Sequence, residues 1–499
     1  MTGHYTRDYW QKALDAATLN GRMFIDGKAA DAADGTTFVR IRPMDGKPGA
    51  TFARGKAVDI DRAVASARAA FQSGVWRHKE PVERKRIMLR WAELMREHRE
   101  ELALLETIDV GKPVMASLNV DVVLAANCIQ YYGEMCDKLY DEIAPTGPND
   151  RALVRKVPLG VIGAITPWNY PLIIDSWKLG PALAAGNSVV LKPAEQSSLT
   201  AIRIAELAHE AGLPAGVFNV VTGYGEEAGQ ALAKHMDVDM IAFTGSTEVG
   251  KLIMGYAAQT NLKRVALELG GKSPLIVFAD ADLDAAASAA AWGCFYNSGE
   301  TCHASTRLVA ERSIMDQLIR KIEEVTAREI TLAHPFEPSA QIGALIEDAH
   351  LEKVLAMIEA GEREGSTRAF GAEKVMTETG GSYMSPGVFV AKSNADSLAR
   401  QEIFGPVLTA IPFDTEEEAL AIANDTSYGL AGAVFTTNMG RAHRVSEAIH
   451  AGTVWINTYD ISSLATPFGG FKQSGFGRDR SVHAIDKYCD YKTIWQRYA

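Results

Sequence analysis

The chain has 499 residues, 47% hydrophobic and 23% charged, enough for large buried cores and about three domains at ~150 residues each. Its 51 basic and 62 acidic residues leave a net charge of -11, which argues against a nucleic-acid surface. The five scattered cysteines form no CxxC pair, so neither a disulfide framework nor a thiolate zinc site is expected, no metal is called for, and a reducing compartment, the cytoplasm, fits best. The first residues carry no apolar signal core, and no run of 18 apolar residues free of charge predicts a membrane span.

Helical spacing runs from Asp59 through Phe71, from Val82 to about Ile108, and from about Asp121 to Tyr140. The rhythm then changes. Val157 to Ile165 reads as a buried strand, Pro171 to Ala185 as a helix ended by Gly186, and Ser188 to Leu191 as a short strand. A helix over Leu199 to Ala211 stops at Gly212, a strand covers Val217 to Val221, a helix Glu226 to Lys234 and a strand Met240 to Phe243. Ser246 stands at the N-cap of a further helix that contains Val249. Units of about 30 residues alternating strand and helix predict an open parallel sheet covered on both faces.

A second alternating block starts at Pro274 to Phe278, with strands over Thr306–Val309, Gly387–Val390, Leu408–Phe413, Gly432–Phe435 and Gly452–Ile456. The expected fold is α/β, two doubly wound Rossmann-like domains, with a flexible joint at Gly270 and Gly271 between them. The segment from Asp486 to Ala499 reads as a strand with no partner nearby, suited to pairing with another chain.

Cys302 ends the polar, glycine-containing segment FYNSGETC, the setting of an accessible loop or a helix start, where a lowered thiol pKa would favour the nucleophilic thiolate. Glu268 is a carboxylate inside the apolar run VALELGG, where desolvation would raise its pKa and make it a general base. Asn169 lies between two prolines in TPWNYP; a turn asparagine is its ordinary role, an oxyanion donor the functional one. The phosphate signals are individually weak. GYGEEAG, Gly223 to Gly229, follows a strand and enters a helix, but its GxGxxxG spacing is one residue longer than the Rossmann fingerprint. Thr244-Gly245-Ser246 also joins strand to helix, and Lys192 and Glu195 end another strand, where a glutamate would accept from a ribose diol and repel a 2′-phosphate. The plain reading of Lys192 is a solvated lysine.

Taken together, the ordered segments PWN, KPAE, FTGSTEVG, LELGGKSP, the cysteine segment ending at Cys302, EIFGPV and PFGGFKQSG resemble the aldehyde dehydrogenase superfamily over essentially the whole chain. The resemblance implies that Cys302 attacks an aldehyde carbonyl, that Asn169 and the Cys302 N–H hold the oxyanion, and that Glu268 activates water to release a free acid. It implies an NAD cofactor, with NADP use left open. Ile165, Thr166, Pro167 and Trp168 would line the dinucleotide groove, and Lys192 and Glu195 would meet the adenosine ribose. Gly225, Gly229 and Val249 would border the adenine, and Ser246 the pyrophosphate. Glu402 and Phe404 would hold the nicotinamide ribose and ring. It also implies a dinucleotide-binding domain over 1–140 and 158–268, a catalytic domain over 269–480, and a β-flap over 141–157 and 481–499 that assembles a homodimer or homotetramer.

The substrate tunnel of such enzymes maps here onto Val120, Leu124, Tyr170, Asp175, Trp177, Tyr296, Thr301, Ile461 and Ser462, with Asp460 close by. Ser462 replaces the third aromatic that a quaternary-ammonium cage would need. The overall pattern is more similar to bacterial enzymes acting on γ-glutamyl-aminobutyraldehyde and guanidinobutyraldehyde, and Asp175 and Asp460 would attract an amino or guanidino group. A broad-specificity aliphatic or aromatic aldehyde enzyme is the runner-up. A thiol esterase and a non-catalytic crystallin-like protein are the alternatives from other classes.

Overall fold

The computed structural model describes residues 5–498. Five short apolar segments, Val161–Ile165, Ser188–Lys192, Phe218–Val220, Met240–Thr244 and Arg264–Glu268, pair in parallel. In chain order they lie 3-2-1-4-5, the doubly wound arrangement whose crossovers reverse between the first and fourth strands. Nearly all their side chains are buried, as a sheet covered on both faces requires. Two segments distant in sequence close its edges antiparallel. Met23–Ile25 pairs through Phe24 with Val220, and Gly475–Phe476 pairs with Leu267 and Glu268.

The second sheet is also mostly parallel. Its spatial order is Gly387–Val390, Val407–Phe413, Arg307–Glu311, Pro274–Val277, Ala431–Phe435, Thr453–Ile456, with Thr367–Gly371 added antiparallel at one edge. Leu275, Phe295, Leu308, Leu408 and Ala433 form the centre of its core.

The structure corrects several expectations. The helical stretch from Val82 to Ile108 is two helices, Pro81–Glu97 and Arg99–Val110, broken at His98. The apolar run from Val157 to Ile165 is not one strand. Pro158 ends a strand of a third sheet, and the chain turns at Gly160, φ 141°, before entering the first. The C-terminal strand Cys489–Arg497 has its partner within the chain: it pairs antiparallel over nine residues with Asp150–Pro158, and Glu142–Ala144 lies on the far side. Val114–Met135 is a continuous helical stretch long and apolar enough, by length and composition, to cross a membrane. It carries Asp121 and Glu134, and Leu118, Val122, Ala125, Ile129 and Tyr132 sit in the main core, so its apolar face is the core face of a packed helix.

Candidate active site

The carboxyl ends of the first and fourth strands, where the winding reverses, open onto a cleft of about 270 Å³ between the two sheets. Pro167, Trp168 and Asn169 enter it from the first strand, and Thr244, Gly245 and Ser246 from the fourth. Glu268 comes from the end of the fifth strand. Cys302, Glu402 and Phe404 come from loops of the second sheet. These ten residues, all picked out from the sequence, therefore share one cavity.

Three consecutive left-handed residues shape the approach to Cys302: Asn297 (φ 53°), Ser298 (φ 55°) and Gly299 (φ 74°). Such backbone persists for non-glycine residues only where surrounding contacts over-determine it. Here Asn297 Nδ2 donates to the Asn169 carbonyl at 3.1 Å, Ser298 Oγ donates to the Gly343 carbonyl at 3.0 Å, and Glu300 Oε1 accepts from Ile346 N at 2.9 Å. Cys302 therefore sits in a pinned turn, not at a helix start. Its thiol pKa is pushed well up, first by burial and then by the charges of Glu268 and Glu402, the opposite of the lowering that a helix start would give.

Glu268 is 4% exposed, and neither carboxylate oxygen has a full hydrogen bond. Burial lifts its pKa to about 8, against the pull of Lys178, and Asp479 adds to the rise. Asn169 is also buried. Its Nδ2 gives one N–H to the Glu300 carbonyl at 2.9 Å, and an amide nitrogen carries a second.

Gly270 and Gly271 provide space, not a hinge. Neither has positive φ. A Cβ on Gly270 would lie 2.1 Å from Glu402 Oε2, and one on Gly271 2.4 Å from the Cys302 carbonyl oxygen. The loop slips between the two, and Gly271 N–H donates to Glu402 Oε1 at 2.9 Å. Burial raises Glu402 to about 7.

Lys192 is buried, not solvated, and donates to Glu195 Oε2 at 2.9 Å. Thr166 N donates to the Lys192 carbonyl, which ties the Ile165–Thr166 corner to this strand end. Gly225–Gly229 forms a wide helical turn, with Gly229 beside the Lys192 side chain. Ser246 caps its helix by accepting from Val249 N at 3.2 Å, and Val249 is exposed. Phe404 packs edge-on to Trp168, 5.3 Å between rings. His350, which no motif marked, lines the cleft and donates from Nε2 to the Phe404 carbonyl at 2.7 Å; Lys353 lines it too.

The presumed substrate residues are only partly gathered. Tyr170 OH and Thr301 Oγ1 are 2.8 Å apart beside Cys302, and Tyr296 is half-buried near Asp460. Trp177 packs at a tilt against Phe468, 5.3 Å between ring centres, and the chain's own Arg480 guanidinium lies over both rings. Leu124 and Ser462 are exposed and lie off the cleft. Asp175 is 1% exposed and does not line the cleft, and burial raises its pKa to about 7. Asp460 stands half-exposed and accepts from His303 Nε2 at 2.8 Å.

A doubly wound sheet whose switch-point cleft gathers a thiol, buried carboxyls and a carboxamide defines an α/β enzyme of the dinucleotide-dependent class. The chain belongs to the aldehyde dehydrogenase family, whose pattern matches residues 30–494. It is similar to the NADP/NAD-dependent aldehyde dehydrogenase PuuC of Escherichia coli (strain K12), 49% identical over 98% of each chain. The solved γ-glutamyl-γ-aminobutyraldehyde dehydrogenase of Burkholderia cenocepacia J2315 superimposes with a TM-score of 0.97 at 52% identity, covering 99% of this chain and 100% of that one. An indole-3-acetaldehyde dehydrogenase solved with NAD+ also superimposes at 0.97, with 50% identity over 99% of each chain.

Proposed function

We propose that this protein oxidises an aldehyde bearing an amino or γ-glutamyl-amino group at its far end to the carboxylic acid, using NAD, with NADP as a second cofactor. The convergence of Cys302, Glu268 and Asn169 on one cleft is the observation that carries the reaction. The cleft fits the cofactor: Thr244 Oγ1 is buried without a partner, and Glu402 uses Oε1 on the Gly271 N–H, leaving Oε2 for a ribose hydroxyl. The Lys192–Glu195 pair suits a ribose diol, and the buried ammonium beneath it tolerates a 2′-phosphate. The bound nicotinamide supplies a hydride acceptor.

In this reading Cys302 Sγ bonds to the aldehyde carbon, and the second Asn169 N–H and the Cys302 N–H hold the resulting oxyanion. After hydride loss, Glu268 takes a proton from water as the water attacks the thioester. Pro167, Trp168, Ser246 and Phe404 position the dinucleotide. Asp460, the one acid of the proposed pair still open to solvent, faces the cationic end of the substrate. The name of the Burkholderia neighbour supports that substrate class. The aromatic pair Trp177–Phe468 and the name of the indole-3-acetaldehyde neighbour favour an aromatic aldehyde as the second reading. For assembly, we place the homodimer or homotetramer contact on the flap of 141–157 and 481–499, whose edge strand presents Tyr491 and Trp495 to solvent. The five free thiols suit the reducing cytoplasm.

The test follows nicotinamide reduction with both cofactors over aminobutyraldehyde, γ-glutamyl-aminobutyraldehyde, guanidinobutyraldehyde, hexanal, benzaldehyde and indole-3-acetaldehyde. Amino substrates are expected to be fastest, and Cys302→Ala silent. Preference for the aromatic aldehydes overturns the substrate class; an active Cys302→Ala overturns the mechanism.

A further inference from the structure

The thiol of Cys302 has a basic nitrogen beside it that the reaction scheme leaves unused. His303 Nδ1 lies 3.8 Å from Cys302 Sγ. The other ring nitrogen, Nε2, lies 2.8 Å from Asp460 Oδ1. A carboxylate accepts at that distance, so Nε2 carries a proton, and in the neutral ring Nδ1 presents its lone pair to the thiol. The ring is fixed on all sides. It packs edge-on to Phe468 at 5.5 Å and against Trp455 at 6.3 Å, and Tyr459 OH donates to the His303 carbonyl at 2.5 Å. The partner is fixed too: Asp460 is left-handed, φ 58°, in a loop where Asn457 is also left-handed, φ 53°. Strained backbone that aims a side chain is held by its surroundings.

We infer that His303, oriented by Asp460, is the base that receives the proton of the Cys302 thiol. The S–H bond breaks, its proton goes to His303 Nδ1, and the electron pair left on sulfur forms the S–C bond while the carbonyl π pair moves to oxygen. His303 contacts the reacting sulfur and is a catalytic residue; Asp460 acts through it and is a positioning residue. The need for such a base is visible in the cleft. On the inner side the thiol faces Glu268 and Glu402, which hold its pKa up. On the outer side stand His303, Asp460, Tyr459 and Arg480. Burial holds the Glu268 pKa at about 8, so Glu268 is mostly protonated near neutrality and a weak acceptor of the thiol proton there.

The inference rests on Cys302 being the nucleophile, and the two fail separately: an active Cys302→Ala sinks the nucleophile reading, whereas the test below addresses the base alone. The full-length enzyme is alkylated with iodoacetamide, a neutral probe with no amine to meet Asp460, from about pH 6 to about pH 10, and labelling of Cys302 is read by mass spectrometry. The other four cysteines are buried and report on integrity. Wild type is expected to show a phase of labelling that is already reactive near neutrality. His303→Gln should lose that phase, slowing alkylation near neutrality by about tenfold or more while converging with wild type at high pH. Asp460→Asn should slow the same phase less, and Glu268→Gln should keep it. Superimposable wild-type and His303→Gln profiles overturn the proposal, as does a neutral phase lost only in Glu268→Gln. If His303→Gln does not fold, an Asp460→Asn profile identical to wild type is sufficient to overturn it.

Discussion

Glu268 carries its charge reluctantly, and that reluctance is measurable. An unfolded glutamate titrates near ~4.3, whereas burial holds this one at about 8. Between those values the native state binds the extra proton, so its contribution to stability is full at low pH and is lost as pH rises through the folded value. Glu268→Gln cannot ionise. Its unfolding midpoint should match wild type near about pH 5 and exceed it near about pH 9, a gap worth several kcal/mol at most by order of magnitude. A gap independent of pH would refute the assignment. The same variant should reduce nicotinamide in the first turnover and then stall, with kcat down about a hundredfold or more. The neighbouring glycines separate stability from function. Gly271→Ala drives a Cβ against backbone, the Cys302 carbonyl, and should destabilise by about 2–4 kcal/mol in thermal unfolding. Gly270→Ala meets only the movable end of Glu402; it should leave the midpoint nearly unchanged and weaken cofactor binding in a fluorescence titration. Equal effects of the two would contradict the close-approach argument.

Asp479 ties three elements together. It accepts from Lys178 on the helix Pro171–Ala184 at 2.5 Å and from Lys487 beyond the short helix His483–Asp486; Lys178 and Asp479 are almost fully buried and Lys487 is mostly so. Asp479→Asn leaves two buried ammonium groups without their counter-ion and should destabilise by about 3–5 kcal/mol. It also removes a negative charge that raises Glu268, so the acid limb of the kcat profile should move to lower pH. An unmoved limb would show that the triad does not reach the site. The Lys178–Asp479 contact was not readable from spacing, because its partners are 301 residues apart and each looks like an ordinary charged residue. The long parallel strands were readable, since burial on both faces writes them as apolar runs. The two-residue strand Gly475–Phe476 and the hairpin Met23–Ile25 with Lys28–Ala30 were not: short edge strands leave too few positions for a period to register. Glycine motifs were located correctly but explained wrongly at Gly270 and Gly271, because a sequence does not distinguish a glycine that bends from one that makes room.

At the scale of the molecule, the motifs that converge on the cleft were legible because each is an uninterrupted string. His350, Lys353 and the His303–Asp460 contact were not, because they depend on how two sheets face each other. The flap offers a test at this scale. Its strand Cys489–Arg497 is anchored at the base by Arg264 Nη1 donating to the Cys489 carbonyl and Asn187 Nδ2 donating to that of Tyr488. Removing residues 489–499 should convert the assembled species to a monomer in light scattering; an unchanged mass would place the contact elsewhere. The pairing of Glu268 with Gly475 has a further consequence for biosynthesis. As the chain leaves the ribosome, the reactive cysteine emerges long before the strand that completes the edge beside Glu268. The nascent protein therefore holds a thiol without its finished carboxyl neighbour until Gly475 and Phe476, close to the end of the chain, have joined the first sheet.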